Sequence, residues 1–224
     1  MKTLATSIQH DYRFRPEDLP CPALIQQPAL DDLVSTYHFQ SCTLEPDPAG
    51  QTIAVCRLGI FPVRQEFLSL KALSIGPGRI EIDMVGTSLH ATIYFEDLWK
   101  WVCRVGQLAA GTYPAITSLQ QQSTVTARLG FSAEALLAPA LRTALTDLIG
   151  QSDQTDAVAD AQQRLAALSL KLERPAFVLG LDPASDPAEH IYVSTAPLTT
   201  EEHCGWLQAI ENGLLGQAVS QGAG

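Results

Sequence analysis

A chain of 224 residues, 46% hydrophobic and 17% charged, is long enough to bury a sizeable core and too apolar to stay disordered. Its formal net charge of −10 comes without any Lys/Arg cluster, which argues against a nucleic-acid partner, and its acids are too dispersed for a DNA mimic. No window nears the roughly 20 apolar residues of a membrane helix, and residues 1–15 lack the apolar block of a signal peptide, so a soluble cytoplasmic protein is expected. Cys21, Cys42, Cys56, Cys103 and Cys204 are odd in number and widely spaced, with no CxxC pair. Buried thiols in a reducing compartment are expected, rather than a disulfide frame or a zinc site.

Residues 1–50 read as irregular at both ends. Three prolines in Arg15–Pro22 predict extended loop, Pro28 opens a helix to Tyr37 carrying Leu30, Leu33 and Val34, and Glu45–Gly50 is turn-rich. Thr52–Ile60 and Phe67–Ile75 read as strands, and Gly76-Pro77-Gly78 turns the chain into the most patterned stretch of all, 79–110. There Ile80, Ile82 and Met84 alternate with polar residues, Gly86-Thr87 suits a tight turn, and Leu89, Ala91, Ile93 and Phe95 alternate in turn. The reading is a β-hairpin with Asp83 facing His90, followed after Glu96-Asp97 by an amphipathic helix through Leu98, Trp101, Val102, Val105, Leu108 and Ala109. Gly111 ends that helix.

Farther on, Gln120–Ser123 reads as loop and Thr124–Phe131 as a fifth strand. Ser132 caps a short helix, Pro139 begins another over 140–149, and Gly150–Asp153 is the best linker candidate. A helix then runs to about Lys171, closed by Glu173-Arg174-Pro175. Ala176–Leu181 and Ile191–Thr195 read as strands, and Thr199 with Glu202 forms a capping box for a last helix carrying Trp206, Leu207, Ile210 and Leu214. Strand-turn-strand-helix thus occurs at 79–110 and again at 176–217, a repeat of element order without matching residues.

The expected fold is α+β: an antiparallel meander of about four to five strands covered by helices, with a second strand-strand-helix unit near the C-terminus. It is read as a single domain over 1–224, with 1–150 and 151–224 as the alternative division.

Asp83 and His90 are the candidate catalytic pair, because a carboxylate beside an imidazole sets its tautomer and steadies the imidazolium. No nucleophile is indicated beside them, and a wet cross-strand ion pair is the plainer reading. His203-Cys204 with Glu201 and Glu202 lacks the i, i+4 spacing of a helical metal site, and Asp182–Glu189 lacks the calcium-loop pattern. No metal or cofactor is therefore expected. Trp99 with Cys103 and Gly106 makes a second apolar row on the central helix, to be covered by the C-terminal half of the same chain or by another subunit or protein, and Trp206 marks the last helix, so Trp99, Cys103 and Trp206 are the candidate interaction residues. The expected function is a non-catalytic protein-interaction module: an adaptor, chaperone-like protein or accessory subunit, binding another protein or a second copy of itself. The alternatives are a hydrolase or transferase using Asp83 and His90, or a small-ligand sensor.

Overall fold

The computed structural model describes residues 1–109, 111–113, 115–136, 169–173 and 176–221. The expected helix over 140–149, the Gly150–Asp153 linker and the 150/151 boundary lie outside them. The chain forms two compact units, Thr6–Ser123 and a second made of Met1–Ala5 with Thr124–Gly224.

The first unit is built on β1 (Lys2–Phe14), β2 (Ser41–Pro46), β3 (Thr52–Val63), β4 (Glu66–Gly76), β5 (Arg79–Val85) and β6 (Ile116–Arg128), hydrogen-bonded in the order β2-β3-β4-β5-β1-β6. Successive strands from β2 to β5 pair antiparallel, as a meander should. β5 then pairs with β1, from Ser7 opposite Val85 to Arg13 opposite Arg79. The N-terminal segment, read as irregular, is thus a 13-residue strand in mid-sheet. Ile8, Tyr12 and Phe14 point into the core at period two, and the polar His10 at the same parity hid the pattern.

Helices α1 (Cys21–Leu24), α2 (Gln27–Tyr37) and α3 (Ser88–Val105) belong to this unit. The expected hairpin strand at Leu89–Phe95 is corrected here, because it is the first half of α3. Ala91, Tyr94, Phe95, Leu98 and Val102 are buried at helical spacing while Leu89 stands 61% exposed, so the four-residue alternation was a coincidence inside a longer 3.6-residue period. Thr87 caps the helix, its Oγ1 accepting the His90 N–H. The helix stops at Gly106, earlier than expected, where a Cβ would sit 2.3 Å from Pro20 Cγ.

The core is aromatic. Tyr12 stacks on Phe95 at 3.9 Å between centroids, and Phe14 on Trp99 at 5.8 Å. Polar ties join α2 to α3: Trp101 Nε1–H donates to Asp32 at 2.8 Å, Arg104 to the same carboxylate at 2.6 Å, and Tyr37 Oη–H to Asp97 at 3.0 Å. Cys42 and Cys56 face each other across β2 and β3 and are joined by a disulfide, contrary to the reading of five thiols; Cys21, Cys103 and Cys204 are free. Only strand register brings those two together, since 14 residues separate them in sequence.

In the second unit the order is β6-β9-β8-β7, with β7 (Ser169–Glu173), β8 (Ala176–Leu181) and β9 (Ile191–Ala196), followed by α4 (Thr200–Gln221). Ser169–Glu173, read as the end of a helix, is strand paired antiparallel with β8. Gln120–Ser123, read as loop, lies inside β6, whose polar side chains say nothing of the backbone partners that neighbouring strands supply. Val125, Ala127, Leu129, Phe131, Phe177, Leu179, Tyr192, Ala196 and Leu207 form this unit's core. The expected meander of four to five strands is therefore corrected to nine strands in one hydrogen-bonded order, with four α-helices among the described residues.

Candidate functional site

Asp83 and His90 are not a cross-strand pair, because the strand that would carry His90 is helix. Asp83 lies opposite Gln9 on β1 and Ala72 on β4, and its Oδ1 is 3.6 Å from Lys71 Nζ. His90 is the third residue of α3, and its Nδ1 accepts the Thr87 N–H at 3.3 Å, closing a capping box. Its imidazole serves the helix end.

A different Ser–His contact does form, in the second unit. His203 Nε2 lies 2.8 Å from Ser194 Oγ, which itself donates to the Val178 carbonyl at 2.7 Å. The serine proton is committed to that carbonyl, so the imidazole donates to the hydroxyl and does not activate it. Both side chains are buried, and burial lowers the His203 pKa from 6.5 to about 4. The contact ties α4 to β9. Among the described residues, no group of three or more His, Cys, Asp or Glu side chains is placed to hold a metal ion.

Trp99 and Cys103 lie where the helical reading put them, on a second row of α3, and the first unit's own chain covers that row. Trp99 is 3% exposed, its ring against Phe14 and Phe95, and its Nε1–H donates to the Thr112 carbonyl at 2.6 Å. Cys103 Sγ is 3.7 Å from the same oxygen. On α4, Trp206 is 37% exposed with its ring 6.0 Å from Phe177, whereas the adjacent Leu207 is fully buried.

Sequence reading missed an exposed apolar surface of the first unit. On β3, β4 and β5, Phe61, Leu68, Leu70 and Met84 point into the core. Ile60, Pro62, Phe67 and Val85, at the opposite parity, emerge on the other face of the sheet. Phe67 sits opposite Pro62, and Ser69 opposite Ile60. Val85 lies one step beyond Met84, which faces Leu70 across the β4–β5 ladder. Phe67 is 77% exposed, Ile60 43% and Val85 40%. The signal was present, since a strand read from alternation should not carry apolar residues at both parities.

Along the same face the charges are paired. Arg79 meets Asp11 at 2.9 Å and Glu81 at 2.7 Å, and Arg13 also reaches Asp11 at 2.9 Å. Gln9 hydrogen-bonds Glu81. Arg57 forks onto Glu45 at 2.7 and 3.0 Å, which holds that carboxyl down at about 2. With Lys71 beside Asp83, each of these four cations has its own carboxylate. The face offers an apolar strip bordered by neutral ion pairs, not the unopposed cations that phosphate backbones need.

No family model matches the chain, and no curated protein matches it. Among solved structures, the chain is similar to one described as Methanococcus jannaschii TBP, with a TM-score of 0.43 and 16% identity over 95% of this chain and 97% of that one. A likeness that distant carries no functional argument. Among the described residues, no helix is long and apolar enough to cross a membrane.

Proposed function

We propose that the protein is a non-catalytic interaction module that docks another protein on the apolar strip of the first unit's sheet. The observation that carries this reading is the row Ile60, Pro62, Phe67 and Val85, three of whose members are at least 40% exposed on one sheet face. Contiguous exposed apolar surface costs solubility and is kept where a partner covers it. A protruding aromatic such as Phe67 is the residue type that anchors such contacts. The neutral ion pairs beside the strip suit the polar rim of a protein interface.

The reading keeps a cytoplasmic setting on the strength of three free cysteines. Trapping thiols in intact cells and mapping Cys42 and Cys56 by mass spectrometry tests that setting, since a fully oxidised pair would place the protein in an oxidising compartment. The docking reading is tested with Phe67→Ser and Ile60→Ser combined, both changes lying on an exposed face. Tagged wild-type protein should retain one partner near an integral ratio from its native lysate, and the double variant should lose it with an unchanged melting temperature. A partner held equally by both proteins would remove the strip from the account. Recovery of the wild type without any partner, and as a monomer by sedimentation, would sink the module itself.

A further inference from the structure

The first unit holds a second feature, independent of the strip: a disulfide at the end of its sheet. Cys42 on β2 faces Cys56 on β3, and the bond joins them across 14 residues of sequence. β2 begins the hydrogen-bonded order, so β3 is its one strand neighbour among the described residues. None of its six residues, Ser41–Pro46, is buried, and Leu44 stands 50% exposed. Little apolar burial therefore holds this strand, and two-stranded pairing without such burial is marginal in water. Its other ties are exposed as well. Arg57 on β3 forks onto Glu45, the two side chains being 46% and 38% exposed, and surface pairs of this kind contribute little. At the connecting turn, Asp47 Oδ1 accepts the Ala49 and Gln51 N–H groups at 2.9 and 2.7 Å, which reverses the chain without holding the strand along its length.

The two sulfurs differ in access. Cys56 has no exposure, whereas Cys42 is only partly buried, at the rim of the core. A small thiol coming from the open edge therefore meets Cys42 Sγ first. Its thiolate attacks that sulfur, the bond between the cysteines breaks, and Cys56 leaves as a thiolate that takes up a proton. A second small thiolate then attacks the sulfur added to Cys42, which releases Cys42 as a thiol and forms the small disulfide. Two electrons pass from two small thiols to the protein, and the small disulfide drives the reverse steps. In the reducing setting proposed above, a protein disulfide is transient rather than structural.

We propose that Cys42 and Cys56 form a reversible thiol–disulfide latch on β2, closed by a glutathione-type disulfide and opened by the matching thiol. Closed, the latch pins β2 on β3. Open, it frees β2 and uncovers the outer edge of β3 along Thr52–Arg57. The latch needs the reducing setting proposed above for its use in the cell, whereas its chemistry is tested on purified protein. A failure of that setting, read in intact cells, is thus distinct from a failure of the latch.

The experiment equilibrates the full chain in buffers of graded glutathione to glutathione-disulfide ratio. Alkylation under denaturing conditions and peptide mass spectrometry then read the state of Cys42 and Cys56. The pair should pass through one reversible two-electron transition. Deuterium exchange of the two end states should show amides at 41–46 and 52–57 opening about tenfold faster or more when reduced, with β1 and β5 unchanged. Cys42→Ser, a near-isosteric change at a partly exposed site, should show the reduced pattern without any reductant. The reduced wild type carries the same readout, so a misfolded variant does not shield the proposal. A pair that glutathione disulfide does not close, or that glutathione does not open, would overturn it. So would equal exchange of β2 in both states, or faster exchange throughout the first unit on reduction, which would mark a structural staple. None of these outcomes bears on docking at the Phe67 strip.

Discussion

Set side by side, the two units share a plan and differ in what holds it together. Each contributes from a 13-residue strand, β1 or β6, lays the last strand of its meander beside that strand, and ends on a long helix of 18 or 22 residues. The expected repeat, strand-turn-strand-helix at 79–110 and 176–217, is not the one observed, because the first copy lacks its second strand. The shared plan is larger and begins at β1 and β6. In the first unit α3 is held by aromatic stacking, with Tyr94, Phe95, Leu98, Trp99 and Trp101 all buried. Among the described residues of the second, α4 packs Leu207, Ile210 and Leu214 on that unit's core and adds polar contacts: His203 against Ser194, and Glu211 accepting the Gly130 N–H at 2.6 Å. One order of elements therefore tolerates different mixtures of aromatic and polar contacts.

The sharpest way to break the comparison is to remove an aliphatic group from the stacked core. Leu98→Ala, at a position with no exposure, should lower stability by about 3 kcal/mol in chemical denaturation. If the units unfold independently, only one of two transitions should move.

Acid should act on both units, because each buries one histidine: His10 in the first, bonded through Nδ1 to Tyr12 Oη at 3.0 Å, and His203 in the second. Burial lowers each pKa from 6.5 to about 4, so the unfolded chain binds protons that the native state refuses. Their stabilising effect is complete above pH 6.5, declines as pH falls towards 4 and levels off below it, by up to about 3 kcal/mol per site. Melting temperature measured across that window should show the slope. His203→Gln, which keeps a donor for Ser194 but cannot titrate there, should remove about half of it.

Polar anchoring predicts a large penalty for a small deletion. Glu211→Ala, which removes the buried carboxylate that accepts the Gly130 N–H, should cost about 2 kcal/mol by equilibrium unfolding, although it removes little apolar surface. A loss below about 0.5 kcal/mol would mean that apolar contacts hold α4 as they hold α3.

The smallest effects separate the two helix caps. In α4, Glu202 accepts from the Thr199 N–H and hydroxyl at 3.1 and 2.8 Å and returns its own N–H to Thr199 Oγ1 at 3.2 Å. The box at Thr87 and His90 is longer, at 3.3 and 3.4 Å. Thr199→Ala should therefore cost about 1 kcal/mol and Thr87→Ala less, both read from the same denaturation curves.

Much of the candidate surface was legible without being recognised. Ile60 and Phe67 end segments read as strands, Pro62 lies in the break between them, and Val85 sits at the polar parity of its strand, but the sequence alone gives Ile60, Pro62 and Phe67 no face. Their exposure follows from parity against Phe61, Leu68 and Met84, which requires the register to be known. The second apolar row at Trp99 calls for a cover from the same chain or from another protein, and Phe14 and the Thr112 carbonyl of the same unit lie against it.

By itself the sequence determined what short-range chemistry controls. The strands β3, β4, β5, β8 and β9 follow from alternation between turns, α2 from Pro28 and its apolar face, and the start of α4 from the Thr199–Glu202 box. Only the tertiary structure decided three other things: that Leu89–Phe95 is helix, that Lys2–Phe14 is a central strand, and that the glutamine run at 120–122 is strand. In each case the local pattern is short or interrupted. The deciding energy comes from partners far along the chain: Phe95 stacks on Tyr12, β1 closes on β5, and β6 lies between β1 and β9.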